Sequence, residues 1–190
     1  DKQALRVVIG GSNNDWLGED SSGLASIGSF SNSAPNVVFV FDLIDWANDG
    51  VTDGEGHALN GPAAMANTAS HEAGHAFGLR HHSLYNFEGD LMNTYDPGNG
   101  GWTPIMGNNL AADRTTWDAG TTDLGSNSYQ SDLDILAGTA NGFGFRVDDH
   151  GNTLATADAL TVGIAITQPA TGKGIVGSMY DVDAFKFTST

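Results

Sequence analysis

The hydrophobic positions of this chain fall into short runs separated by long polar stretches. LRVVIG (5–10) and NVVFVF (36–41) are β-branched and aromatic, and Gly, Asn, Pro and Ser bound them, which is the pattern of short strands. GLASIGSF (23–30) is a weaker run of the same type, suited to a sheet edge. The acidic segment DLIDWANDGVTDGEGHALN (42–60) then reads as loop. Gly61-Pro62 supplies a permissive cap and a proline at the first helical position, and Ala63 to Leu79 reads as one helix. Gly78 stands where that helix should stop and turn. Residues 83–130 carry Gly, Asn, Asp and Pro throughout and read as loop, and QSDLDILAGT (130–139) predicts a short helix starting near Ser131 or Asp132.

After Phe145 the texture changes. VDDHGNTLATADAL leads into GIAI (163–166), GIVGSM (174–179) and DAFKFTS (183–189), which predicts a second, all-β unit from residue 147. Its 44 residues are too few for an independent core. The expected class is α+β, with residues 1–146 as one domain and 147–190 as part of a second, all-β one.

Charge narrows the partners. Seven basic residues against 23 acidic ones give a net charge of −16, which repels nucleic acid and anionic lipid. No apolar run is long enough to span a bilayer, so no membrane insertion is expected. Nineteen of the acids are Asp, which favours loops and suits hard cations. Asp45, Asp49, Asp53 and Glu55 could surround a structural Ca2+, although their spacing is not that of an EF-hand; a solvated acidic coat explains the same residues. The absence of cysteine fits a cytosolic protein, or a bacterial secreted one stabilised by metals. DKQALRVVIGG lacks the apolar core of a signal peptide, so a secreted reading requires that the signal precede this sequence.

The densest chemistry lies in HEAGHAFGLRHH (71–82), which holds four of the six histidines. On a helix His71 and His75 share one face, one turn apart, within reach of a single zinc ion. Glu72 is one residue round, placed to touch a water on that ion as general base. Gly78 permits the chain to break from the helix and swing His81 back to the same metal. His82 points elsewhere, because neighbouring residues diverge, and is expected at the surface or supporting the site from behind. His57 and His150 stand alone and read as unremarkable.

The string His71-Glu72-x-x-His75-x-x-Gly78-x-x-His81 resembles the signature of the metzincin zinc endopeptidases, which a methionine turn follows. GGWTPIMG (100–107) is similar to that turn, and by resemblance Met106 forms an apolar floor beneath the three imidazoles. Glu88 is the nearest third ligand of the alternative Glu-type zincins, but it lies in a loop-like segment and His81 is preferred. Some metzincins carry a Tyr just after the turn; here none follows Met106, and Tyr95 precedes it, so that helper is left unassigned. LRVVIGG, GSF, VFVF, the helix at 63–79, GWTPIMG and the short acidic helix together resemble secreted bacterial metzincins related to matrixins and serralysins. Residues 147–187 resemble the opening of a bacterial pre-peptidase C-terminal domain, which implies part of a β-sandwich.

The resemblance implies a twisted sheet, a zinc-binding helix, the turn and a C-terminal helix, with Zn2+ as cofactor and proteins or peptides as substrates. It implies that Glu72 takes a proton from the zinc-bound water as that water attacks a peptide carbonyl. GSF or VFVF would be the edge that an extended substrate pairs with. Because metzincins place a strand and a long helix before the strand at 5–10, the expectation is a chain trimmed at both ends. A secreted module that uses its metal only for structure or adhesion is the alternative.

Overall fold

A computed structural model describes residues 4–18, 20–46, 48, 50–110, 112–161, 169–178 and 180–187. The chain divides into two compact units, one through Phe143 and one from Gly144. The fold is α+β, with small sheets and three helices among the described residues.

In the first unit, β1 (Arg6–Ile9) runs parallel to β3 (Val37–Val40), and β2 (Gly23–Leu24) pairs antiparallel with β3 on its other side. The sheet order β1-β3-β2 makes β3 central. Val38 and Val40 alternate onto one face and are fully buried, with Phe41 beside them, and that sheet packs on the long helix α2 (Pro62–Ala76). The predicted strand at 23–30 shrinks to β2, because the Ser29 and Ser31 N–H groups close turns onto Ser26 and Gly28 while those of Gly28 and Phe30 donate to the His75 and Ala76 carbonyls. VFVF is paired on both sides, so the edges of this sheet are β1 and β2. The short helix α1 (Asn14–Leu17) follows β1.

Helix α2 starts at Pro62, behind Gly61 in an extended conformation, and ends at Ala76 rather than at the predicted Leu79. The reason is local. Gly78 adopts φ +106°, its N–H bonds to the His75 carbonyl at 2.9 Å, and the Leu79 N–H reaches back to Gly74 at 2.9 Å. This pair of bonds is the Schellman arrangement, and it turns the chain off the helix axis.

The predicted loop 83–130 carries six short strands. β4 (Leu84–Tyr85) and β5 (Leu91–Asn93) pair antiparallel, as do β8 (Ala119–Thr122) and β9 (Gly125–Ser131), while β6 (Trp102–Pro104) and β7 (Arg114–Thr116) run parallel. Their sequences, such as RTT, AGTT and GSNSYQS, have no apolar alternation for a pattern to register. Helix α3 (Asp132–Leu136) occupies only the middle of the predicted 130–139, because Gln130 and Ser131 still belong to β9. Leu79, Ile105 and Met106 form a buried core cluster, with Trp117, Ile135 and Leu136 packed against it.

The second unit holds β10 (Asp158–Ala159) parallel to β11 (Phe185–Lys186), with a bridge between Thr161 and Thr171. Predicted GIAI (163–166) lies outside the described residues, and residues 174–178 form no strand. No helix among the described residues is long and apolar enough to cross a membrane.

Candidate metal centre

Helical periodicity puts His71 and His75 on one face of α2, their ring centroids 4.8 Å apart. The turn at Gly78 brings His81 back, 5.2 Å from His71 and 4.7 Å from His75 by ring centroid. The ring nitrogens they offer lie within 4.8 Å of one another, and His75 Nε2 is 3.0 Å from His81 Nε2. Tetrahedral binding at 2.0–2.1 Å needs donor atoms roughly 3.3 Å apart, so the donor set fits a zinc-sized cation.

Tautomers are fixed from outside the cluster. His71 Nδ1 donates to the Ile105 carbonyl at 2.7 Å and His75 Nδ1 to the Leu79 carbonyl at 2.9 Å, leaving each Nε2 free to accept. Burial, with His75 adding its charge, pushes His71 down to about 3. Burial and His75 push His81 to about 4, and burial lowers His75 as well. All three imidazoles are therefore neutral near pH 7, the form in which histidine can bind a metal.

Glu72 is buried beside them, and burial pushes its carboxyl up to about 8. Strand β2 crosses directly over it: a Cβ on Gly23 would stand 2.6 Å from both Cγ and Oε1 of Glu72. That contact predicts that Gly23→Val displaces the Glu72 carboxylate at an overpacking cost of about 1–3 kcal/mol. Thermal melts should show that loss while metal content is kept; an unchanged melting temperature would contradict the packing described.

Met106 is fully buried in a turn closed by the Gly107 N–H to the Pro104 carbonyl at 2.9 Å. Its sulfur lies against α2, so close that a Cβ on Gly74 would come within 2.6 Å of Sδ. The preceding residue, Ile105, is the one whose carbonyl holds His71.

Around the cluster opens a cleft of about 750 Å³, walled by β2 on one side and by Tyr95 and residues 107–110 on the other. Tyr95 is the residue that sequence order hides. It lies before the Met106 turn, yet its ring centroid is 4.4 Å from that of His81 and 6.4 Å from that of His71. Main-chain bonds bring it there: Asp96 N–H donates to His82 O at 2.8 Å, and Asn108 N–H to Asp96 O at 2.9 Å. Burial, with Glu72 nearby, raises its phenol above the ordinary value.

His82 is no surface residue. It is 1% exposed, and its Nε2 lies 3.1 Å from Oδ1 of Asp132, which is itself fully buried. Burial opposes its charged form, but the bond and charge of Asp132 outweigh that and raise its pKa. Glu88 is exposed and joins no such cluster among the described residues.

Of the predicted acidic cluster, Asp49 lies outside the described residues. Asp53 and Glu55 group instead with His57, whose Nδ1 is 2.8 Å from Asp53 Oδ2. His150 likewise has partners, Asp158 at 2.6 Å and the Lys173 carbonyl at 2.6 Å. Asp148, Asp149 and Asp183 form another exposed group in the second unit. Compared with protein-family models, curated proteins and solved structures, the chain matches none.

Proposed function

We propose that this chain is a secreted zinc-dependent endopeptidase of metzincin type. The observation that carries the reading is the buried Glu72 carboxyl beside three converging neutral imidazoles, on the floor of a cleft with a free strand edge. His71, His75 and His81 would hold Zn2+, which when bound supplies Lewis acidity to a water and a peptide carbonyl. Glu72 accepts the proton of the attacking water and passes it to the departing amine; a carboxyl raised by burial and lowered by a nearby cation is a base suited to neutral pH. The free edge of β2 pairs with an extended substrate through main-chain bonds, in place of the central VFVF. Tyr95, with its hydroxyl unengaged among the described residues, is available to donate to the carbonyl oxygen as charge builds there.

A purely structural metal site closes all four positions with protein ligands, whereas no fourth His, Cys, Asp or Glu joins these three among the described residues. The test is cleavage of casein or gelatin by the zinc-loaded protein. Cleavage is expected, abolished by a zinc chelator and restored by added zinc. Cleavage indifferent to the chelator, or none with zinc bound, overturns the reading.

A further inference from the structure

Of the three clustered histidines, His81 alone has no partner at its second ring nitrogen among the described residues. His71 and His75 stand on a rigid helix, and carbonyls orient both; His81 stands beyond the helix end with neither support. Its flanking residues, by contrast, are held from fifty positions downstream. The Gln130 side chain grips Arg80 twice: Oε1 accepts the Arg80 N–H at 3.0 Å, and Nε2 donates to the Arg80 carbonyl at 2.8 Å. On the other side, the His82 ring reaches Asp132. The two grips are one network, since Gln130 Nε2 also donates to Asp132 Oδ1 at 2.9 Å and the Asp118 N–H to Asp132 Oδ2 at 3.1 Å. The His82 main chain extends it to the methionine turn and to Tyr95, by donating to Met106 O and accepting from Asp96 N–H, each at 2.8 Å.

We propose that Gln130, His82 and Asp132 are positioning residues that set His81 into the three-histidine cluster. The inference rests on the reading of that cluster as a metal site. An unclamped residue between two loop neighbours would lose its fixed place each time the loop relaxed, whereas neighbours tied into a buried hydrogen-bonded network resist that rearrangement. Partners that orient a ligand from outside typically carry 10–100-fold in metal affinity.

Cobalt(II) reports both affinity and geometry, so the full chain is stripped of metal and titrated with Co2+. Gln130→Met removes both bonds to Arg80, and His82→Phe removes the bond to Asp132 while filling its space. Each is expected to weaken Co2+ binding by about 10–100-fold and to replace the intense visible bands of a four-coordinate ion with weaker ones. His82→Gln returns a donor to Asp132 and is expected to recover affinity to within about threefold of wild type.

Val38→Ala, in the sheet core, serves as the stability control: it lowers the melting temperature of the metal-free protein and leaves Co2+ affinity and bands unchanged. The proposal is overturned if Gln130→Met and His82→Phe bind Co2+ with wild-type affinity and bands, or if Val38→Ala weakens binding as much as they do. A wild-type chain that binds no Co2+ instead overturns the metal-site reading beneath it.

Discussion

Glu72→Gln is expected to lower kcat/KM on a fluorogenic peptide by about 10²–10⁴-fold, the range that a positioned general base contributes. The substitution isolates the proton-accepting oxygen. Gln has nearly the shape of Glu, so the buried space beneath Gly23 stays filled and the sheet has no reason to shift. The three imidazoles and the carbonyls that orient His71 and His75 are untouched, so metal content by atomic absorption should match wild type. Folding gives no reason for a loss: burial already favours the uncharged form of this side chain, and an amide is uncharged at every pH. Turnover retained in this variant would remove Glu72 from the role of base. Lost turnover with lost metal would mean that the carboxyl supports the cluster instead.

Stripping the metal is expected to lower the melting temperature by about 8–16 °C, from a loss of about 4 kcal/mol when free metal had stood 1,000-fold above its dissociation constant. The metal-free protein should also show a pH dependence of definite sign. His71 has its folded pKa depressed to about 3 against an ordinary 6.5, so the unfolded chain takes up the proton first. Stability from this group is intact above pH 6.5 and falls as the pH drops through the window below it, by about 3 kcal/mol between pH 6.5 and 4. His81, at about 4, acts in the same direction.

Glu72 has its folded pKa raised to about 8 from 4.5, so its contribution is full below pH 4.5 and is lost as the pH rises towards 8. The metal-free protein is thus squeezed from both sides, with its best stability between those limits. A bound divalent cation relieves both arms near neutrality, and protons displace it as the pH falls. Differential scanning calorimetry from pH 4 to 9, with and without chelator, measures the two curves. Coincident curves would show that nothing in this cluster binds metal.

The parts of this architecture that sequence order declares are those governed by short-range rules. The helix start at Gly61-Pro62, the one-turn spacing of His71 and His75, and the break at Gly78 each depend on a handful of adjacent residues. The Leu79 boundary was overshot because Phe77 and Leu79 are ordinary helix formers, and only the bonds from Gly78 and Leu79 back to His75 and Gly74 end the helix earlier. The strands between 84 and 131 left no periodic trace, since Thr, Ser, Gly and Asn hold them through main-chain pairing and side-chain bonds rather than an apolar face. GLASIGSF reads as a sheet edge, and β2 within it is one of the two edges, because β3 is paired on both sides. Sequence order leaves Tyr95 unassigned, and His82 between the surface and a supporting position, for one shared reason. Their placements come from partners 14 and 50 residues away in sequence, His81 and Asp132, and no local spacing encodes those meetings.

That separation of fifty residues also sets an order of events during synthesis. His71 and His75 are adjacent on a helix that closes by local contacts, so a nascent chain can present them as a pair early. The grips on Arg80 and His82 do not exist until Gln130 and Asp132 have left the ribosome, and closing so long a loop is a late, non-local step. A chain interrupted before residue 130 holds His71, Glu72, His75 and His81, yet lacks the side chains that grip the residues on either side of His81. An endopeptidase built this way would stay inactive towards its own unfolded segments until most of the first unit is complete.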